Sequence, residues 1–284
     1  MSGSNTTFDV ARVRAAATQM RRDIVSMLHE AGSGHPGGSL SATDFVATLY
    51  FGGTLRHDPA NPADPERDRF VLSKGHAAPA LYAVLAQDGY FPREWLPTLR
   101  KLGSHLQGHP DMNKCPGVEV STGSLGQGLS IGAGMAMGLA ADAAKAGTDP
   151  RRVFVLMGDG ELQEGQVWEA LMSAGVFKLS NLCAIFDLNG LQATGPVAER
   201  FDSSPYREKL EAFRWHVVEI NGHDFDEIRA AFKASRKETE RPTAILAHTV
   251  KGKGFDFAEN VVGFHNGALT QEQLDAALAV PEEE

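Results

Sequence analysis

Two short apolar runs, each ending in a polar turn and separated by a helical stretch, constrain this chain more than any other feature. Val153-Phe154-Val155-Leu156-Met157 runs straight into Gly158-Asp159-Gly160. Leu182-Cys183-Ala184-Ile185-Phe186 leads through Asp187 and Leu188 to Asn189-Gly190. Two strands joined by a helix form a parallel βαβ unit. Asp159 and Asn189 then sit at the carboxyl ends of neighbouring strands, where open α/β sheets bind ligands. One carboxylate and one amide oxygen suit a magnesium ion that takes its remaining oxygens from a diphosphate and water.

The surrounding pattern extends this unit. Val13, Ala17, Met20, Ile24 and Met27 recur at helical spacing, which predicts an amphipathic helix over residues 9–30. The run Gly32-Ser33-Gly34-His35-Pro36-Gly37-Gly38 breaks it, and the next helix is expected to open at Ser39 or Ser41, with Asp44 in a capping arrangement. Strands are expected at 69–72, 215–220 and 243–250, and helices through Ala86, over 129–146 and over 224–236. Residues 87–120 read as mostly irregular, and residues 121–128 as a glycine-rich loop. The glycines at 132, 134 and 138 each cost helix propensity of roughly 1 kcal/mol against alanine, a cost that close packing could offset. No linker divides the chain, so residues 1–284 read as one α/β domain, doubly wound on a mostly parallel sheet, with a short helix and an acidic tail after about 270.

Composition narrows the function classes. The net charge is −9 and there is no long basic block, which argues against nucleic acid as a partner. No apolar run reaches the length of a membrane span, and Met1 to Phe8 is polar and short, unlike a signal peptide. The two cysteines, Cys115 and Cys183, fit a reducing compartment, so the expected location is the cytoplasm.

Several residues carry chemistry in this setting. The helix expected from Glu161 directs its first amides toward a bound diphosphate. Glu161 and Glu164 in its first turn either complement the helix dipole or, for Glu164 beside an anionic ligand, belong to the site. His35, His76 and His109 stand in loops beside Gly or Pro, at spacings that match no zinc pattern; acid–base work and oxyanion stabilisation suit them better, and an exposed or structural histidine is the alternative at each. Lys251-Gly252-Lys253-Gly254 and the Gly-Phe-His segment ending at His265 are either part of a site or a mobile surface loop.

The ordered set of motifs resembles the thiamine-diphosphate enzymes, and among them the transketolase family. The segment from Gly158 to Ala170, Gly-Asp-Gly-Glu-Leu-Gln-Glu-Gly-Gln-Val-Trp-Glu-Ala, is similar to the family's thiamine motif, and Asp187-Leu188-Asn189-Gly190-Leu191-Gln192 to its second half. The blocks Ser33–Gly38, Ser73–Ala77, Gly108–Pro110 and Gly117–Gly128 resemble the family's others, in the family's order, over about residues 10–268. The resemblance implies that Asp159, the Asn189 side chain and the Leu191 carbonyl bind Mg2+ or another divalent cation such as Ca2+ or Mn2+. It implies that Gly123, Leu125, Gly158, Gly160, Glu161 and His76 contact thiamine diphosphate. His35 and His109 would face the reacting carbons of the sugar, His265 would help move protons, and Glu164 with Glu169 would join a carboxylate network across a subunit interface.

Full-length members are much longer, and this chain resembles their diphosphate-binding half. The pyrimidine-binding half, with the glutamate that activates the cofactor, would be a separate C-terminal subunit, with two copies of each in the assembly. The activity implied is transfer of a two-carbon ketol unit between sugar phosphates. Alternatives are a specialised-pathway enzyme for an unusual sugar, a related synthase or 2-oxo-acid decarboxylating system, or a non-catalytic binding subunit. A histidine-dependent metallohydrolase lacks the ligand spacing it would need.

Overall fold

The computed structural model describes residues 8–280; residues 1–7 of the polar N-terminus and residues 281–284 of the acidic end lie outside them. Strands β1 (Arg69–Leu72), β2 (Val153–Gly158), β3 (Leu182–Leu188), β6 (His216–Asn221) and β7 (Thr243–His248) form one sheet in the order β1-β2-β3-β7-β6. Every pairing in it is parallel. A two-stranded antiparallel hairpin, β4 (Leu191–Gln192) and β5 (Gly195–Pro196), stands apart from it. The helices are α1 (Val10–Ala31), α2 (Pro36–Phe51), α3 (Ala78–Asp88), α4 (Gln127–Ala146), α5 (Gly165–Val176), α6 (Val197–Arg200), α7 (Tyr206–Ala212), α8 (Phe225–Lys237) and α9 (Gln271–Ala279).

Alternate strand residues feed two cores, as the two-residue period of a strand requires. Phe154, Leu156, Cys183, Ile185 and Ile245 pack with α1, α2, α3 and α8 on one face. Val153, Val155, Met157, Ala184 and Phe186 pack with α4, α5 and α7 on the other. With both faces covered, the strands are continuously apolar, and β2 is buried at all six positions. The doubly wound α/β expectation is thus met.

The first helix follows its sequence pattern. Asp9 caps it by accepting the Arg12 amide at 3.1 Å, and Gly32 ends it at φ 62°. The second differs from expectation. It opens at Pro36, three residues before Ser39, because proline at the first helical position is already set to helical φ and lacks the amide that would go unpaired. Ser39 Oγ donates to the His35 carbonyl and Ser41 Oγ to Asp187, while Asp44 pairs with Arg21 and His223 instead of capping. The segment after β2 also differs: Gly160–Gln163 is a 3-10 turn, and α5 begins only at Gly165. Among the described residues no helix is long and apolar enough to cross a membrane.

The chain lays down β1, β2 and β3 in turn, then passes to the far edge for β6 and returns to place β7 beside β3. The strand order therefore reverses between β3 and β7, and a ligand crevice is expected outside the carboxyl ends there.

Candidate active site

The crevice at that reversal is lined by Gly38, Lys74, His76, Leu125, Gly158, Asp159, Gly160, Glu161, Asn189, Leu191, Lys251 and His265. Asp159 follows β2 and is 4% exposed. Its Oδ1 accepts the Gly160 amide at 2.8 Å and its Oδ2 the Gly190 amide at 2.5 Å. Among the described residues it has no basic side chain in ion-pair contact. Burial, and then the charge of Asp187, push its carboxyl up to about 6, so it is a carboxylate short of positive charge. Asn189 follows β3, with its Nδ2 donating to Asp187 at 3.2 Å and its Oδ1 accepting the Leu191 amide at 3.1 Å. The Leu191 carbonyl lies on the hairpin that closes over the same crevice. A carboxylate, an amide oxygen and a carbonyl are hard donors, of the kind that suits Mg2+, Ca2+ or Mn2+ rather than zinc. Among the described residues no group of three or more His, Cys, Asp or Glu could hold a metal.

Beneath them lies a buried ion pair. Lys74 and Asp187 are 1% and 0% exposed at their side chains and in direct contact. Lys74 Nζ also donates to the Gly38 carbonyl at 2.8 Å, and Asp187 further accepts from Ser41 at 2.6 Å and from Thr249. Asp187 is a polar residue inside a buried strand, and it joins the ends of β1, β3 and β7 at one carboxylate. Burial works to raise its pKa, and Lys74 with the hydroxyl donors brings it below the ordinary range.

Glu161 occupies a place the sequence did not suggest. It is 2% exposed and turned inward, accepting Ser73 Oγ at 2.5 Å, the Gly126 amide at 2.9 Å and the Gly158 amide at 3.2 Å. It lines the crevice, and its carboxylate fastens the segments that carry Ser73, Gly126 and Gly158 rather than capping a helix. Glu164 caps α5 without a side-chain bond, is exposed, and lies outside the crevice with its Cβ against Gly126. Glu169 is likewise exposed.

Four histidines distant in sequence converge. The His35 ring lies 5.3 Å from His76, 6.1 Å from His109 and 5.6 Å from His265, and His76 lies 5.2 Å from His265, between centroids. Burial followed by the charge of Arg100 lowers His35 to about 4; burial followed by the charge of Lys251 lowers His265 to about 4. His76 is pushed well below the ordinary value by burial and by Lys74, and His109 downward by burial and Arg100. All four are neutral near pH 7, each with one donor and one acceptor nitrogen. Gly123, at φ 155°, brings the backbone against the His109 ring, where an added Cβ would lie 3.1 Å from Cδ2.

Lys251 belongs to the Lys-Gly-Lys-Gly run, whose sequence reads equally well as part of a site or as a surface loop. It is 2% exposed, and its Nζ donates to the Leu191 carbonyl at 2.7 Å and to His265 Nδ1 at 2.9 Å. An ammonium only donates, so Nδ1 of His265 must accept and its proton sits on Nε2. A larger cleft between α1 and α8, lined by Arg14, Arg21 and Phe225, contains none of the candidate residues.

Residues 13–279 match the family model described as transketolase, thiamine diphosphate binding domain. The chain is 44% identical over 268 residues to the 6-deoxy-6-sulfo-D-fructose transketolase subunit SqwG of Clostridium sp. (strain MSTE9), covering 94% of this chain and 95% of that one. It is 41% identical over 258 residues to one of the subunits of the apulose-4-phosphate transketolase of Phocaeicola vulgatus, covering 91% and 89%. The crystal structure of transketolase from Campylobacter jejuni superposes with a TM-score of 0.88 at 34% identity, over 95% of this chain and 42% of that one. The chain thus spans nearly the whole of the subunit relatives and less than half of the full-length enzyme.

Proposed function

The chain belongs to the transketolase family through its thiamine diphosphate binding domain, and from that premise we propose that it is the N-terminal subunit of a split transketolase. It transfers a two-carbon ketol unit from a ketose to an aldose, and is active only with a C-terminal subunit carrying the pyrimidine-binding half, two copies of each. The observation that carries this reading is the convergence of Asp159, Asn189 and Leu191 with four neutral histidines at one strand-order reversal. The coverage supports the split, since subunit relatives are matched nearly end to end.

Asp159, Asn189 Oδ1 and the Leu191 carbonyl would hold a divalent cation, and His76, Gly123, Leu125, Gly158 and Gly160 would stand against thiamine diphosphate. Thiamine diphosphate held there would supply the carbanion chemistry that ketol transfer needs. The chain's own residues bind, orient and manage protons. His35 and His109 present neutral nitrogens to the sugar's reacting end, able to take a hydroxyl proton or donate to a developing alkoxide. His265, held with its proton on Nε2, donates from that atom. Glu164 and Glu169, exposed on α5, are proposed to meet carboxylates across the interface with a neighbouring chain.

The substrates are proposed to be sugars bearing an anionic group, since the names of both subunit relatives specify one, a sulfo-sugar and a sugar phosphate. The proposed location is the cytoplasm, in keeping with two buried, unpaired cysteines. The test is reconstitution with the pyrimidine-binding subunit: the mixture is expected to transfer ketol units while neither polypeptide does so by itself. Full activity of this chain alone, or none in the mixture, overturns the reading.

A further inference from the structure

We propose that Arg100 is a specificity residue of this subunit, gripping the anionic group of the sugar at the entrance above His35 and His109. The inference rests on the ketol-transfer reading for its substrate and assigns part of the anion recognition to this half of the enzyme.

Arg100 is built into its position. Its backbone lies in the left-handed region at φ 63°, and its amide donates to the Leu106 carbonyl at 2.9 Å, closing a tight loop. The guanidinium crosses the face of Gly108, where an added Cβ would lie 2.6 Å from Nε and 2.8 Å from Nη2. Glycine at 108 is what lets the guanidinium approach the segment that carries His109. Nη1 donates to Ser33 Oγ at 2.9 Å, two residues before His35. One side chain thereby bridges the two loops that deliver these histidines.

Its charge is left uncompensated. Arg100 is exposed and forms no ion pair among the described residues. The nearby acid Glu30 is taken by Lys101, and the buried Lys74 is balanced by Asp187. Burial first, and then the charge of Arg100, lower the pKa values of His35 and His109, so the positive field of Arg100 reaches both rings. A planar fork with one donor spent on Ser33 retains others for a tetrahedral oxyanion, which guanidinium binds in bidentate fashion. A phosphate ester and a sulfonate share that chemistry.

The reconstituted complex distinguishes them when assayed with fructose 6-phosphate, 6-deoxy-6-sulfofructose and fructose. In Arg100→Gln, kcat/KM is expected to fall at least about tenfold further on the charged sugars than on fructose, chiefly through KM, with Arg100→Lys recovering part of the loss. A selective loss on one charged sugar alone supports the proposal and names the anion. An equal loss on all three, or none, overturns it. Inorganic phosphate provides a readout independent of turnover: added to the complex, it should shift the imidazole NMR signals of His35 and His109 in the wild type but not in Arg100→Gln. If no sugar is turned over by the wild type, the ketol-transfer reading fails, and this phosphate titration alone then decides the proposal. No shift in the wild type, or the same shift in both proteins, counts against it.

Discussion

The Glu161 carboxylate accepts the Gly126 amide at 2.9 Å, tying the loop ahead of α4 to the end of β2. Ser73 and Gly158 share the same carboxylate, so three crevice-lining segments meet at one buried anion. Glu161→Ala leaves these donors without their acceptor in a buried site, and an unmet buried donor costs about 1–3 kcal/mol. The expected loss is about 2–4 kcal/mol in urea unfolding, with Glu161→Gln losing less. A change below about 0.5 kcal/mol would show that the carboxylate is not the fastener.

Lys74 and Asp187 form the second fastening point. Removing one partner of a buried pair strands the other charge, at a cost of about 3–5 kcal/mol. Lys74→Met is expected to lose that much, and Lys74→Met with Asp187→Asn to lose less than the single variant, because the stranded charge is gone. A double variant as unstable as the sum of the two singles would show the residues to be uncoupled.

The histidine cluster makes a prediction about pH. His35 and His265 have folded pKa values near 4, below the ordinary histidine value, so between about pH 6.5 and 4 the unfolded chain binds protons that the folded chain refuses. Their contribution to stability is complete above about pH 6.5 and falls as pH drops through that window. Asp159 works in the opposite direction: its raised folded pKa, about 6, makes the metal-free fold the tighter proton binder between about pH 4 and 6. Urea midpoints measured from pH 7 to 5 should therefore fall in the wild type, and replacing both His35 and His265 with Asn should flatten the fall. An unchanged slope would place ordinary histidines at these positions.

The glycines of α4 divide into two kinds. A Cβ on Gly132 would overlap Val155 of the sheet, whereas Cβ atoms on Gly134 and Gly138 would meet nothing within 4 Å. Gly132→Ala should destabilise the fold. Gly138→Ala should stabilise the isolated chain by roughly 0.5–1 kcal/mol through helix propensity. If the open face is where another subunit packs, Gly138→Ala should also weaken assembly in sedimentation experiments. A loss of stability in the isolated chain would mean that the face is not open.

How far the sequence carried depended on whether a residue's role was local. The apolar runs of β2 and β3 and the turns after them placed Asp159 and Asn189 correctly, because strand period and turn chemistry are short-range signals. The convergence of His35, His76, His109 and His265 was legible only through the resemblance of their motifs, since no spacing encodes a contact made across four loops. The Lys74–Asp187 pair was not legible, and the run holding Lys251 was left open between site and surface loop. Lys74 and Lys251, each beside glycine, look like solvated loop residues until tertiary packing buries them, and Asp187 sits in an apolar run with no local sign of its partner. The inward turn of Glu161 was not legible either: the helix expected to start there is a 3-10 turn, and that turn aims its side chain inward. Ser39 and Ser41 carried a false capping signal because Pro36 had already opened the helix.

The central claim is that Asp159 and Asn189 hold a divalent cation through which the diphosphate is bound. Its most direct test is calorimetric titration of thiamine diphosphate into the reconstituted complex, with Mg2+, with EDTA, and with Asp159→Ala in the presence of Mg2+. The account predicts tight binding in the first case and at least about a hundredfold weaker binding in the other two, a difference of about 2.7 kcal/mol. Near-equal affinity in all three would contradict it.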